Sequence, residues 1–471
     1  MNIPMLVVCA YIAIIFVISW YTKHRAAGKS ENYILAGRKM TTPLIMVTIV
    51  GLAVGGASTI GVAEKAFTAG ISAGWYTTAW GIGAIVMGLT VAKKYRSINI
   101  TTIPEMLERY YDRKSMGMGI VCQILVQLVI MSMQYVAAGM ILSALLPEVF
   151  TPVSGMLFSA IVFIGITLIG GMWSASISNL MNDALTYAGI IIAVLFAIRM
   201  GGGMENIALN LPMKNGLDFV AGVGPMTVVT WIVVLITVNL SLQSIIQISL
   251  GAKDVQTARK GFIIGGIVML PVGFLCGYMG VIAAEIYPNI SATAALPKII
   301  MSLNPWLAGI ILAALWAADV STACNLLLSS ATLYSHDIHK RFIDPSMTDA
   351  KYLKVTRISV LLFGLLTLGF ALTISGIIAT LMAGLSLMTA FSVIALMTMY
   401  APKACSRPAA FYTILASIIV LVAWMFVPAV RVLPHVIYAE WIVCMVVFCG
   451  VSALCHAPIA EVKYETVTAE H

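Results

Sequence analysis

The stretch AALWAADVSTACNLLLSS, Ala313 to Ser330, sets Asp319, Ser321, Thr322 and Asn325 inside a long apolar run. Such groups are costly in hydrocarbon unless something satisfies them. On a helix, Ala318, Ser321, Thr322 and Asn325 fall at i, i+3, i+4 and i+7, so they share one face. A stripe of hydroxyls beside a carbonyl is a hard-oxygen surface, suited to Na+ rather than to a soft transition metal. Ser and Thr also bond back to the carbonyl four residues earlier, which is the ordinary fate of an intramembrane hydroxyl. Both readings stand at this point.

Composition supplies the setting. Of the 471 residues, 61% are hydrophobic and 10% charged, and the mean hydropathy is +1.00, far outside the soluble range. Apolar runs beginning near residues 4, 43, 75, 117, 152, 178, 225, 261, 306, 356, 377, 409 and 435 are expected to form thirteen membrane helices. The alternating strands of about 10 residues that a spanning barrel needs do not occur. The expected fold is therefore an all-α, polytopic membrane protein. No linker divides it, so residues 1–471 read as one membrane unit. It comprises a peripheral first helix and loop (1–40), a core (41–405), two peripheral helices (406–456) and a short tail (457–471).

Cytoplasmic loops carry an excess of Lys and Arg. With the N-terminus outside and the C-terminus in the cytoplasm, all but Lys65, Arg199, Lys214, Lys298 and Arg431 of the 27 basic residues fall on inward segments. The net charge of +8 is thus topological, and no nucleic-acid partner is read from it. The first segment lacks a basic region before its apolar run and reads as a retained helix, not a cleaved signal. Short tails suggest a bacterial plasma membrane, with a monomer or weak homo-oligomer in the lipid bilayer. The eight cysteines include no CxxC and are expected as buried thiols. His336 and His339 have HxxH spacing but are expected as solvated residues at an inward helix end.

An intramembrane enzyme needs a nucleophile with its base, or clustered metal ligands, at matched depths, and the sequence has no such set. Nor does it repeat a channel filter. It does have VTIVGLAVGGASTIGVAEKAFTAG, Val47 to Gly70, where Gly51, Gly55, Gly56 and Gly61 each weaken a helix by about 1 kcal/mol relative to Ala. An unwound turn there would free carbonyls for a cation and amides for an anionic group. Close helix packing by small residues is the equal alternative.

At this point the chain resembles the sodium/solute symporter family. The landmarks are SENYILAGRKM before the second helix, the Gly-rich helix ending AFTAG, IIQISLGAKD at Ile245 to Asp254, and the long stretch Asn304 to Ile338. The resemblance implies a LeuT-like fold of two inverted five-helix repeats and alternating access around a central site. It also implies a Na+ site made by Ala318, Ser321 and Thr322, with Gly51 and Val54 opposite.

The departures are informative. Where many members carry an acid before the sixth span, this chain has Asn179, and the acid comes at Asp183. Gln247 and Ile248 replace the family's Gln-Arg pair, and the positions of polar sugar ligands hold Ala57, Ser58 and Leu242. A sugar is therefore disfavoured. Gly55, Gly56, Ser58, Thr59, Gln123, Gln127, Gln134, Asn239, Ser241 and Gln243 are expected around the cavity, a set of amides and hydroxyls suited to a small carboxylate or amino acid, or to a neutral heterocycle. Asp319, with Asn179 and Asp183, is a candidate for coupling. It would supply charge to a cation, be protonated in the cycle, or simply pair with Lys65 or face water. The expected function is Na+-driven uptake of a small organic solute, not enzymatic chemistry. Proton coupling and a solute-sensing receptor built on the same frame are the alternatives.

Overall fold

A computed structural model describes residues 3–26, 29–373, 382 and 384–465. Among these residues the chain is helical throughout, and the only β contacts are isolated bridges, Met40 to Ala252 and Ser406 to Pro458. The principal helices are α1 (Ile3–Ala26), α2 (Thr42–Ala53), α3 (Ile60–Ala69), α4 (Trp75–Thr90), α5 (Ile103–Tyr110) and α6 (Arg113–Leu145). They continue with α7 (Pro152–Met200), α8 (Pro225–Ser241), α9 (Gln243–Leu250), α10 (Val255–Met269), α11 (Val272–Ile286) and α12 (Pro305–Thr332). The last four are α13 (Asp349–Ala371), α14 (Met388–Tyr400), α15 (Ala409–Phe426) and α16 (Val436–Leu454).

Polar residues at the ends start these helices. Asp112 accepts from the Ser115 amide at 2.7 Å to open α6, and Asp254 does the same for Thr257 at 2.7 Å to open α10. Thr151 and Ser154 cap α7 reciprocally. Each arrangement satisfies donors that the first turn leaves bare.

Helix α12 is the axis of the molecule. It packs against α1, α2, α6, α7 and α13, and 89% of its most apolar window is buried in protein, against 28% for α1, α13, α15 and α16. The stretch Ala313 to Ser330 therefore faces neighbouring helices, not lipid. Elsewhere glycines set the spacing. A Cβ on Gly81 would lie 2.6 Å from the Gly266 carbonyl, and one on Gly266 would lie 2.5 Å from that of Gly81, so α4 and α10 cross at backbone contact.

Among the described residues, eight helices are long and apolar enough to cross a membrane, or ten if two bent pairs each count as one span. The thirteen expected starts do not map onto that count, for three local reasons. Gly171 (φ 54, ψ −141) joins the runs from 152 and 178 into one 49-residue helix with a kink. The run from 43 is divided into α2 and α3, each too short to pass alone. The run from 377 begins outside the described residues, as do Met1 and His471.

Two further expectations are corrected. His336 is not a solvated surface residue: its side chain is 17% exposed and its Nδ1 lies 3.1 Å from Asp337 Oδ1. Beyond Thr332 the chain widens into a π-type helix over Leu333–Ile343, and Asp337 there accepts from Thr102 Oγ1 at 2.8 Å, which draws this face onto α5. The cysteines are all free, but only five are buried; Cys9 and Cys449 are exposed and Cys455 intermediate, because their helices lie at the periphery.

The kink yields a test. A Cβ on Gly171 would sit 2.5 Å from the Tyr33 carbonyl, in a backbone conformation that L residues rarely adopt. Gly171→Ala should destabilise the protein by at least about 1–2 kcal/mol from the backbone alone, read as a lowered unfolding temperature in detergent. Gly117→Ala, on an exposed helical site with nothing within 4 Å of the new Cβ, should be neutral or stabilise by up to about 1 kcal/mol.

Candidate functional site

The site begins with two interruptions. Between Ala53 and Ile60 the chain leaves helical geometry, with Val54 at φ −92, ψ 59. Side chains take up the freed backbone groups. Gln134 Oε1 accepts from the Gly56 amide at 2.8 Å, Ser58 Oγ donates to the Ala53 carbonyl at 2.6 Å, Thr59 Oγ1 donates to the Gly55 carbonyl at 3.1 Å, and Thr77 Oγ1 donates to that of Ser58 at 3.1 Å. The second interruption is at Leu242, where α8 and α9 meet at a 51° bend. Gln123 spans it, donating to the Ser241 carbonyl at 2.8 Å and accepting from the Gln243 amide at 3.0 Å.

Gln123 and Gln134 both stand on α6, with Gln127 between them. At about 100° per residue the three lie within about 40° of arc, and Gln127 stands about 6 Å along the axis from Gln123 and about 10 Å from Gln134. Gln127 is fully buried, yet neither its Oε1 nor its Nε2 has a hydrogen-bond partner. A buried primary amide left bare is expensive, so among these three glutamines Gln127 is the one with its whole amide free for a ligand, while Gln134 Oε1 keeps one lone pair.

The stripe on α12 meets the first interruption. Ser321 Oγ and Thr322 Oγ1 lie 2.8 Å and 2.7 Å from the Gly51 carbonyl, and 3.0 Å and 3.1 Å from the Ala318 carbonyl. Back-bonding within α12 and reaching across to α2 are thus satisfied by the same atoms. Four oxygens share two hydroxyl protons, an electron-rich cluster whose lone pairs a hard cation would draw inward. Val54 closes α2 one turn beyond, its amide on the Val50 carbonyl at 2.7 Å. Asn179 abuts the cluster: a Cβ on Gly51 would lie 2.5 Å from its Nδ2 and 3.0 Å from Ser321 Oγ. Its Oδ1 is buried without a partner.

Gly55 and Gly56 carry the next contacts. A Cβ on Gly55 would lie 2.3 Å from Gln134 Oε1 and 2.6 Å from Thr322 Oγ1, and one on Gly56 would lie 2.9 Å from Asp319 Oδ1. Asp319 is completely buried. The expected pairing with Lys65 does not occur: Lys65 is exposed, because it stands on the outer face of α3.

The structure thus gathers Gly51, Val54, Gly55, Gly56, Ala318, Asp319, Ser321, Thr322 and Asn179 into one locus. Other expected residues are committed elsewhere. Ser241 Oγ is held by the Met388 carbonyl at 3.0 Å and Ser392 at 2.9 Å. Gln243 uses its Oε1 on the Ile103 amide at 2.8 Å and its Nε2 on the Thr101 carbonyl at 3.2 Å, which ties the second interruption to α5. Asp183 stands beside Tyr11 and Tyr187. Sequence reasoning passed over Glu440, a buried acid on α16 that accepts from Ser417 Oγ at 2.6 Å and Ser386 Oγ at 3.2 Å. Its signal was an acid inside an apolar span. Among the described residues no group of three or more His, Cys, Asp or Glu side chains could hold a metal ion.

The Sodium:solute symporter family profile matches residues 33–419. The sodium/proline symporter of Salmonella typhimurium is 26% identical over 405 residues, covering 78% of this chain and 77% of its own. The sodium/glucose cotransporter of Vibrio parahaemolyticus is 23% identical over 431 residues, covering 81% and 76%. An uncharacterized symporter of Escherichia coli is 24% identical over 374 residues, 73% of this chain but 64% of its own length. Among solved structures, a substrate-bound, outward-open Na+-coupled sialic acid symporter superposes with a TM-score of 0.81 at 16% identity, covering 97% of this chain and 99% of that one. Mhp1, a nucleobase-cation-symport-1 family transporter in a closed conformation, gives 0.61 at 12% identity, covering 89% and 92%. The shared fold is LeuT-like.

Two substitution sets test the geometry. Ser321→Ala with Thr322→Ala removes both hydroxyls from the cluster, and sodium-dependent thermal stabilisation of the purified protein should vanish or need at least tenfold more Na+. Gln123→Leu strands two buried backbone groups and should lower stability by about 2–4 kcal/mol. Gln127→Leu breaks no protein hydrogen bond, so it should leave the unfolding temperature unchanged or raised while weakening solute binding.

Proposed function

Because this chain belongs to the sodium:solute symporter family, we propose that it carries a small organic solute across the membrane together with Na+, by alternating access. The observation that carries this reading is the convergence of the Ser321 and Thr322 hydroxyls on the Gly51 carbonyl. Gly51, Val54, Ala318, Ser321 and Thr322 are the proposed Na+ ligands. An ion there joins α12 to the end of α2 and so fixes the shape of residues 54–59.

Coupling follows from that placement. Gly55, Gly56, Ser58 and Thr59 belong to the same interruption, and Gln127 looks on from α6, so solute and ion each favour one shape of a shared segment. Each then raises the other's affinity by the same factor. Transport further requires that the ion bind the two access states unequally. The contacts of Gln243 with Thr101 and Ile103, and of Thr102 with Asp337, close the face bearing the basic loops. Opening to that face must break them.

The solute is read as a small carboxylate or amino acid. Relatives that are sodium/proline symporters support the amino-acid class, and Ala57 and Leu242 at the sugar-ligand positions speak against a sugar. Ser241 and Gln243, satisfied by the protein, are proposed to shape the site's inner wall. The protein is a multi-pass membrane protein; the proposed orientation has Met1 outside and His471 inside, in a bacterial plasma membrane.

In proteoliposomes, an inward Na+ gradient should drive accumulation of labelled proline or a related amino acid, with Li+ partly replacing Na+ and K+ ineffective. Accumulation driven by a proton gradient at equal Na+ on both sides would overturn sodium coupling. Solute binding with no counterflow would make the chain a sensor.

A further inference from the structure

Asp319 is the one acid among the described residues with both carboxylate oxygens buried and without a hydrogen-bond partner. Asp183 also leaves a buried oxygen, its Oδ2, without a partner, but only one of the two, and two further buried acids have polar partners. Glu440 has Ser386 and Ser417, and Asp337 has Thr102, His336 and Arg341. No ion pair among the described residues includes Asp319. A carboxyl group in a hydrocarbon-bounded core either keeps its proton or meets a cationic partner when it ionises, and the chain itself offers no such cation here.

The direction of the side chain shows where that partner belongs. Asp319 Oδ1 lies 2.9 Å from the Cβ position of Gly56, the residue whose amide Gln134 holds. One turn on, Thr322 faces Gly55. Asp319 therefore borders the interruption at Gly56, next to the hydroxyl cluster that Thr322 and Ala318 form with Gly51.

Two kinds of cation fit a carboxylate, and the surroundings separate them. A sodium ion takes about five or six oxygens. Those of Gly51, Ala318, Ser321 and Thr322 are already gathered into one cluster, while the nearest neighbour of the Gly56 position is the Ala137 methyl group. An ammonium needs fewer oxygens, because its N–H groups aim at individual acceptors. Its carbon body also tolerates the alanine wall. A quaternary ammonium fits poorly, since it has no N–H, and such ions are recognised by aromatic faces. The side chains closest to Gly55 and Gly56 are Gln134, Thr322, Ala137 and Asp319, none of them aromatic.

We infer that the Asp319 carboxylate, together with Gln134 Oε1 at the Gly55–Gly56 turn, is the docking point for a protonated amino group on the transported solute. This deepens the symport reading and rests on it. It narrows the solute to a primary or secondary amine, with zwitterionic amino acids included and simple carboxylates, neutral heterocycles and betaines excluded. It also gives the solute a part in ordering the interruption, since its ammonium lies against the same turn whose other end the sodium ligands hold.

The test uses the full chain, purified in detergent. Thermal stabilisation in sodium buffer is measured for the protein amino acids, ethanolamine, the matched acids without an amino group, propionate and lactate, and the trimethylated counterparts glycine betaine and choline. Every stabilising compound should carry an N–H ammonium, and full methylation should abolish the effect. Asp319→Asn should weaken binding of the best amine roughly 100-fold or more, and Asp319→Glu should lose less because it keeps the charge. A stabiliser without a basic nitrogen, a panel in which no amine stabilises, or an Asp319→Asn protein with wild-type amine affinity would each overturn the inference. If the Asn variant does not fold, the solute series on the unmodified chain decides alone. Failure of the symport reading looks different: Na+ without solute then leaves the unfolding temperature of the unmodified protein where K+ leaves it.

Discussion

A helix that stops halfway across a hydrocarbon layer exposes N–H and C=O groups to a medium that cannot bond them, and each costs several kcal/mol if left bare. Everything unusual in this protein follows from that constraint. The chain interrupts itself at residues 54–59 and again at Leu242, and at each place a glutamine from α6 substitutes for water: Gln134 at Gly56, Gln123 at Ser241 and Gln243. One helix therefore braces both interruptions. A shift of α6 changes the support of both at once, which gives the two halves of the site a mechanical reason to move together.

The same constraint explains why the hydroxyl cluster proposed for sodium is where it is. The Gly51 carbonyl stands one turn before the interruption, where the amide four residues on has left the helix, and two hydroxyls from α12 take its place. A cation added to this cluster would exchange two hydroxyl donors for direct coordination, so its binding is a replacement within a satisfied network and not the filling of a void. Hydroxyls can turn their protons elsewhere when the ion arrives and return them when it leaves. Reversible loading requires that symmetry; an ion gripped by several carboxylates would be slow to go.

Part of this was legible in the sequence and part was not, and the division has a physical basis. The stripe of Ala318, Ser321 and Thr322 could be read because helical period alone fixes which side chains share a face. The weakness at Gly51, Gly55 and Gly56 could be read because glycine's cost is local. The glutamine clamps could not: Gln134 and Gly56 are 78 residues apart, and nothing within either segment specifies the pairing. Ser241 and Gln243 looked like ligands for the same reason, since a polar residue at an interruption reads alike whether it faces a solute or a neighbouring loop. His336 was misread because its partner, Asp337, is buried by the π-type widening beyond Thr332, a change of winding without a residue signature. The number of spans is not settled by counting helices at Gly171, where two helical segments, one for each of the expected runs, meet across a single non-helical residue.

Two pairs of readings that opposed each other in the sequence turn out to describe the same atoms. Glycine for close packing and glycine for an unwound turn were alternatives, yet Gly51, Gly55 and Gly56 lack a Cβ at positions where one would strike Asn179, Gln134 and Ala137. Packing this tight is what brings α12 and α6 near enough to serve the exposed backbone. Likewise, Thr322 bonds back to Ala318 and across to Gly51, so the ordinary habit of an intramembrane hydroxyl holds it in place for the coordinating role proposed for it. A substitution that only fills space at these glycines therefore acts on binding as well as on stability, because the space and the site are one arrangement.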